Sequence, residues 1–232
     1  MNSNKAPLQY DLARFITSTE QSILAAGIQL TISNDFEELA ESVKENELPI
    51  ALPKMFAPER VNQLPAHNFW IKGTDKAGRI VHTQAFNYAS LRGKPLIEYL
   101  NNVKDLYCPV LPVADKNSIQ FQTSDALNKV SGTVCYQSAI WIKEDLIDQK
   151  DPKIVALLSV LGFTLAVTTW APDYIFSLIS QNHVFKGLPT RLGYRHMHPY
   201  ALNWKISNSN IDMNDWLVWL SQDEFVEIAG VG

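Results

Sequence analysis

Few of this chain's five histidines and two cysteines are spaced for chemistry. In a strand, His196-x-His198 would point both imidazoles to one face, because side chains alternate. Zinc takes three or four such ligands, and no third one stands at a matching spacing, so the pair reads as two polar residues near a strand end. Arg191, Tyr194, Arg195 and His196 form a compact polar cluster in which a phenol and an imidazole could move protons, or in which the Tyr194 ring is core with its hydroxyl hydrogen-bonded. Glu144 directly follows a long apolar stretch. Its carboxylate could take a proton directly or through a water, or it is simply a solvated loop residue. Cys135 alternates with Val134 and Tyr136. A nucleophilic thiol needs a nearby base and partial exposure, and this pattern gives a buried, inert thiol instead. Cys108 precedes Pro109 with no activating neighbour. His67 and His82 could line a cleft or be satisfied histidines. No Ser/His/Asp order, no phosphate-binding Gly-rich loop and no dinucleotide fingerprint is present.

These residues depend on the elements that carry them. Tyr10–Ala26 has apolar positions Leu12, Phe15, Ile16, Ile23 and Leu24 near one helical face, and Gly27 stops it. Ile28–Ile32 alternates as a strand, and Asn34 or Asp35 caps a helix from Phe36 to about Asn46. Pro49, Pro53, Pro58 and Pro65 make the next stretch loop-like, with enough apolar residues to pack on the body. Phe69–Lys72 and Arg79–Phe86, joined by the Gly-bounded Gly73–Gly78, predict a β-hairpin. Pro95–Asn102 reads as a short helix, whereas Tyr107–Asp125 has no clear period. Gly132–Ile142 is a long strand and Lys143–Lys150 a loop. Asp151-Pro152 opens an apolar helix that ends near Trp170, since Pro172 cannot continue it. Tyr174–Ile179 is a strand. A short helix from Asn182 to about Lys186 is broken at Gly187 and Pro189. Gly193–Met197 leads into a strand through Trp204, and Trp216–Leu220 forms another with Trp216 and Trp219 on opposite faces. Ser221 and Glu224 read as a capping box.

This order, together with Ser138-Ala-Ile-Trp-Ile142, Trp170-Ala-Pro-Asp173 and Gly193-Tyr-Arg-His196, resembles the GNAT superfamily of acyl-coenzyme A-dependent N-acyltransferases, over about two-thirds of the chain. The resemblance implies an α/β fold with a mixed, mostly antiparallel central sheet and helices on both faces. Residues 1–26 would be a helical extension and residues 27–232 the acyltransferase domain. It implies acetyl-CoA or another acyl-CoA as co-substrate and an amine of a small molecule or peptide as acceptor. The edge of the long strand at Ile140, Trp141 and Ile142 would hold the pantetheine arm, and amides around Lys150 and Lys153 would face the pyrophosphate. Tyr194 or His196 would protonate the leaving thiolate, and Glu144 would be the base for the amine. The family's coenzyme loop is basic and Gly-rich so that backbone N–H groups reach the phosphates. Here Glu144–Pro152 has no glycine and four carboxylates. A GNAT-fold binding or scaffold protein that has lost coenzyme binding therefore stays open beside the enzyme.

Composition narrows the partners. The chain has 232 residues, of which 46% are hydrophobic, so it can bury a sizeable core. A formal net charge of -4 with no Lys/Arg block gives no electrostatic support for a nucleic-acid or membrane partner, and a homodimer stays open. Two cysteines cannot build a disulfide framework. With no apolar leader at the N-terminus, the expectation is a cytoplasmic protein.

Overall fold

In the computed structural model, residues 5–107, 114–147, 153–206 and 212–230 are described. Eight strands form one sheet: β1 (Gln29–Ser33), β2 (Asn68–Thr74), β3 (Ile80–Ser90), β4 (Ala114–Phe121), β5 (Thr133–Ile142), β6 (Tyr174–Ser180), β7 (His196–Ile206) and β8 (Asp212–Ser221). Their order across the sheet is β1-β2-β3-β5-β6-β8-β7-β4. Every neighbouring pair is antiparallel except β5 and β6. Parallel neighbours need a crossover, which the helix Lys153–Trp170 supplies.

That helix is apolar because it is buried. Leu158, Phe163 and Ala166 are fully enclosed between the sheet and the N-terminal helix Lys5–Ala25. By length and composition alone it could cross a membrane, but its burial inside the fold accounts for the same pattern. At mid-helix, a Cβ on Gly162 would stand 2.5 Å from Phe86 Cζ and 2.8 Å from Gln84 Oε1. The glycine is what lets helix and sheet approach. Gly162→Ala is expected to lower stability by about 1–2 kcal/mol in chemical denaturation, overpacking outweighing alanine's better helix propensity.

The sheet separates two cores. On one face Lys5–Ala25, Lys153–Trp170, Leu188–Leu192 and Gln222–Ala229 cover Ile71, Phe86, Cys135 and Ile175. On the other, Phe36–Glu45, Pro58–Val61 and Leu96–Asn102 cover Trp70, Tyr136, Phe176 and Leu217. This is the mixed α/β sheet with helices on both faces that the element order predicts.

Local chemistry explains most element ends. Asp35 caps the helix after β1 by accepting from the amides of Glu37 and Glu38. In the β2–β3 turn, Asp75 accepts from the amides of Ala77 and Arg79 and from Arg79 Nε at 2.8 Å. The Arg79 side chain holds its carboxyl below the usual carboxylate range. Ser221 and Glu224 form the capping box. The Pro-containing stretch after residue 46 does pack on the body, with Met55, Phe56 and Val61 buried.

Three expectations change. Leu24 is 58% exposed because the helix turns its Leu12 and Ile23 side inward. Tyr107–Asp125 contains an edge strand, β4, whose polar sequence hides the strand period and which pairs with β7. Pro189 does not only break a helix. It sits in the first turn of Leu188–Leu192, where its missing N–H costs nothing. Asp151-Pro152 lies outside the described residues.

Candidate active site

β5 and β6 pair over three residues only: Val134, Cys135 and Tyr136 against Tyr174, Ile175 and Phe176. Beyond these the strands part. β5 continues to Ile142 and stays paired with β3, and β6 continues to Ser180 and stays paired with β8. From Gln137 and Ser177 onward, the edges that face each other have no strand partner. The result is a wedge through the middle of the sheet.

At its apex lies Tyr194, delivered by the Gly193 turn, where φ is +97°. The Tyr194 hydroxyl donates to Gln137 Oε1 at 2.8 Å and is also hydrogen-bonded to Ser177. These are the first residue of each strand past the pairing. The link continues inward: Gln137 Nε2 donates to Gln84 Oε1 at 2.8 Å, and Gln84 Nε2 donates to the Leu158 carbonyl at 2.7 Å. Each of these side chains is buried, so each hydrogen bond is needed to satisfy a desolvated group. Burial, with the nearby Cys135 next, pushes the Tyr194 phenol well above its ordinary value, so it stays protonated.

β5 carries a bulge beside the wedge. Thr83 pairs with Trp141 and Ala85 with Ser138, so Ala139 and Ile140 together oppose Gln84. Ala139 takes φ +50°, a left-handed conformation unfavourable for a residue with a Cβ, and Thr83 Oγ1 fixes it by donating to the Ala139 carbonyl at 2.8 Å.

The wedge opens into a cleft of about 430 Å³ whose lining comes from both faces of the sheet. Ile140, Ile179, His183 and Leu188 contribute on the side of the buried helix. Tyr107, Tyr136, Trp204, Met213 and Asp215 contribute on the other. Asp215 shares its β8 face with Leu217 and Trp219 and is 9% exposed. Burial raises its carboxyl to about 6, against a hydrogen bond from Trp204 Nε1 at 3.2 Å. His183 Nδ1 lies 2.7 Å from Ser180 Oγ, and burial, then Lys186, lowers its imidazole below the ordinary value.

The residues expected from the sequence are dispersed. Tyr194 is at the apex of the wedge and Ile140 lines the cleft. Trp141 and Ile142 continue β5 against β3, pairing with Thr83 and His82. Glu144 is exposed in the short helix Glu144–Ile147, and Lys153 is the exposed first residue of the buried helix. Lys150 lies outside the described residues. His196 is the first residue of β7, stacked on Trp219, with Nε2 donating to Glu224 Oε1 at 2.7 Å. Its register with Trp219 puts it beside the capping box rather than with Tyr194's wedge. His67 meets Tyr88 edge-on, and His82 and Cys135 are enclosed. Cys108 lies outside the described residues.

Sequence reasoning missed Asp215, Trp204, Gln137, Ser177 and the Ala139 bulge. One signal was available for Asp215. Extending the last strand by one residue before Trp216 places a carboxylate on the face of Leu217 and Trp219.

Comparison with known proteins gives fold outlines only. No family model matches the chain, and no curated protein sequence matches it. Among solved structures, the chain is similar to spermidine N-acetyltransferase from Vibrio cholerae in complex with CoA and spermine, at 9% identity and a TM-score of 0.47, covering 87% of this chain and 99% of that one. It is similar to a GNAT superfamily phosphinothricin acetyltransferase from Sinorhizobium meliloti in complex with AcCoA, at 13% identity and a TM-score of 0.42, covering 84% and 90%. It is also similar to an N-acyl amino acid synthase from uncultured soil microbes, at 11% identity and a TM-score of 0.38, covering 94% and 86%.

Proposed function

We propose that this chain is a GNAT-like N-acyltransferase that moves an acyl group from acyl-CoA to an amine. The observation that carries the reading is the wedge. A protonated phenol, Tyr194, lies on one side of the sheet, hydrogen-bonded to Ser177 of the cleft lining, and a buried carboxylate, Asp215, lines the cleft on the other side, where β5 and β6 part.

The residues present fit an acyl-CoA arm. The unpartnered edge of β5 from Gln137 offers backbone hydrogen bonds to the amides of an extended pantetheine chain. The first turn of Lys153–Trp170 contains no acidic residue, so no carboxylate of that turn opposes a phosphate at the positive end of the helix dipole. Part of the acidity of the preceding loop is neutralised, since Asp145 pairs with Lys143 at 2.8 Å. The bound thioester supplies the activated acyl carbon. Asp215 takes a proton from the acceptor amine, whose nitrogen then forms the C–N bond as the C–S bond breaks. Tyr194 returns a proton to the departing sulfur, and Gln137 and Ser177 hold the phenol in place. Tyr194 reaches the cleft through Ser177, which lines it, whereas Glu144 is exposed in its own short helix and His196 is engaged with Glu224 and Trp219, so neither has a part in this scheme.

Calorimetric titration with acetyl-CoA and with a longer acyl-CoA tests the reading. Binding at micromolar strength is expected, and Lys153→Glu should weaken it about tenfold by placing negative charge at the helix N-terminus. No binding up to millimolar ligand would leave the scaffold reading in its place.

A further inference from the structure

We infer that the acceptor is a small primary amine with an apolar, ring-sized body and no carboxylate or second ammonium of its own, its nitrogen held at Asp215. The inference rests on the acyl-transfer reading and adds the substrate class to it.

Its basis is the charge inventory of the cleft. Among the described residues of the lining, Asp215 is the one carboxylate, and none is a Lys or Arg. The one imidazole among the described lining residues, His183, is held below its ordinary value by burial and then by Lys186, which disfavours a cation there. No cation of the described residues bears on Asp215, whose surroundings act through burial and Trp204 alone. A buried carboxylate without a cation is costly unless something brings the charge to it. An ammonium does so.

The rest of the wall selects the body of the ligand. Tyr107 and Tyr136 meet edge to face with centroids 4.8 Å apart, and Met213, Ile50 and Leu178 continue an apolar surface. An amino acid would bring its own carboxylate toward Asp215 and find no cation to receive it. A diamine or polyamine would press a second ammonium against this apolar wall with no second carboxylate to meet it. An arylalkylamine meets both demands, and about 430 Å³ accommodates it.

The test uses the full chain and three probes that share a phenyl ring: 2-phenylethylamine, phenylalanine and 2-phenylethanol. Binding is followed by calorimetry at about pH 8, where the Asp215 carboxyl is ionised. The amine should bind at least tenfold more tightly than either of the others, and in Asp215→Asn its advantage over the alcohol should vanish. Equal or tighter binding of phenylalanine would overturn the inference. So would an amine preference that survives Asp215→Asn, or the absence of binding by all three to the unaltered chain. Acetyl-CoA is titrated in parallel to separate the two claims. Acetyl-CoA binding without the amine preference overturns this inference alone. The amine preference without acetyl-CoA binding keeps the ligand class and overturns acyl transfer instead.

Discussion

Asp215→Asn is expected to lower kcat/KM for acyl transfer by about 10²–10³ while making the free protein more stable. On the acyl-transfer reading, the loss follows from removing the group proposed to accept the amine's proton, a role worth about 10²–10⁴ in rate. The gain follows from linkage. The folded carboxyl titrates at about 6, above its unfolded value of 3.8, so holding it ionised above pH 6 works against folding. The difference of roughly two units corresponds to up to about 3 kcal/mol at neutral pH, which asparagine removes while still accepting from Trp204. Steady-state kinetics and chemical denaturation on one preparation check both halves. A variant that loses activity and also loses stability would show Asp215 to be a structural group rather than a site held ready at a stability cost.

The second large effect is a pair of opposed pH dependences. His82 is fully enclosed, and burial lowers its imidazole to about 4 from the usual 6.5. Its Nδ1 donates to the Trp141 carbonyl at 2.9 Å, and Nε2 has no hydrogen-bond partner among the described residues. Between pH 6.5 and 4 the unfolded chain takes up a proton that the folded chain refuses. The contribution of neutral His82 is complete above pH 6.5 and is lost as pH falls to 4, by about 3 kcal/mol. Asp215 has the opposite sign: its folded value is raised, so the protein gains stability as pH falls from about 6 to 3.8. The two nearly cancel over the shared window. Asp215→Asn should therefore steepen the acid loss, and His82→Asn, which keeps a donor for Trp141, should turn the same window into a gain. Denaturation midpoints at several pH values read both, and the remaining carboxylates drop out of the difference. Parallel curves for the two variants would refute the assignment.

The sequence revealed the frame of the site more readily than its chemistry. The hairpin, the long strand, the buried helix and the capping box each have a short-range cause, in alternation, a proline or a reciprocal hydrogen bond. Tyr194 was legible because Gly193 marks the turn that delivers it. Asp215 was not, since a single carboxylate at a strand end looks like a solvated terminus until β6 and β8 are paired beside the wedge. The Ala139 bulge has no local mark either. It arises where β3 and β5 fall out of step by one residue, and nothing in Ser138-Ala-Ile says so. Glu144 and His196 attracted attention by residue type, but the fold sends both to other surfaces.

The three-residue contact between β5 and β6 also has a mechanical meaning. It divides the sheet into two four-stranded antiparallel plates, β1-β2-β3-β5 and β6-β8-β7-β4, riveted at one short seam. The chain does not respect that division. It leaves the first plate after β3, lays β4 along the outer rim of the second, and only then returns to make β5. The described segments 91–107 and 114–132 thus lie between one plate and the far side of the other, and the Lys153–Trp170 crossover spans the seam on the opposite face. The short seam leaves the two plates joined by few strand hydrogen bonds, so the elements packed across it on both faces, the crossover helix among them, hold them together.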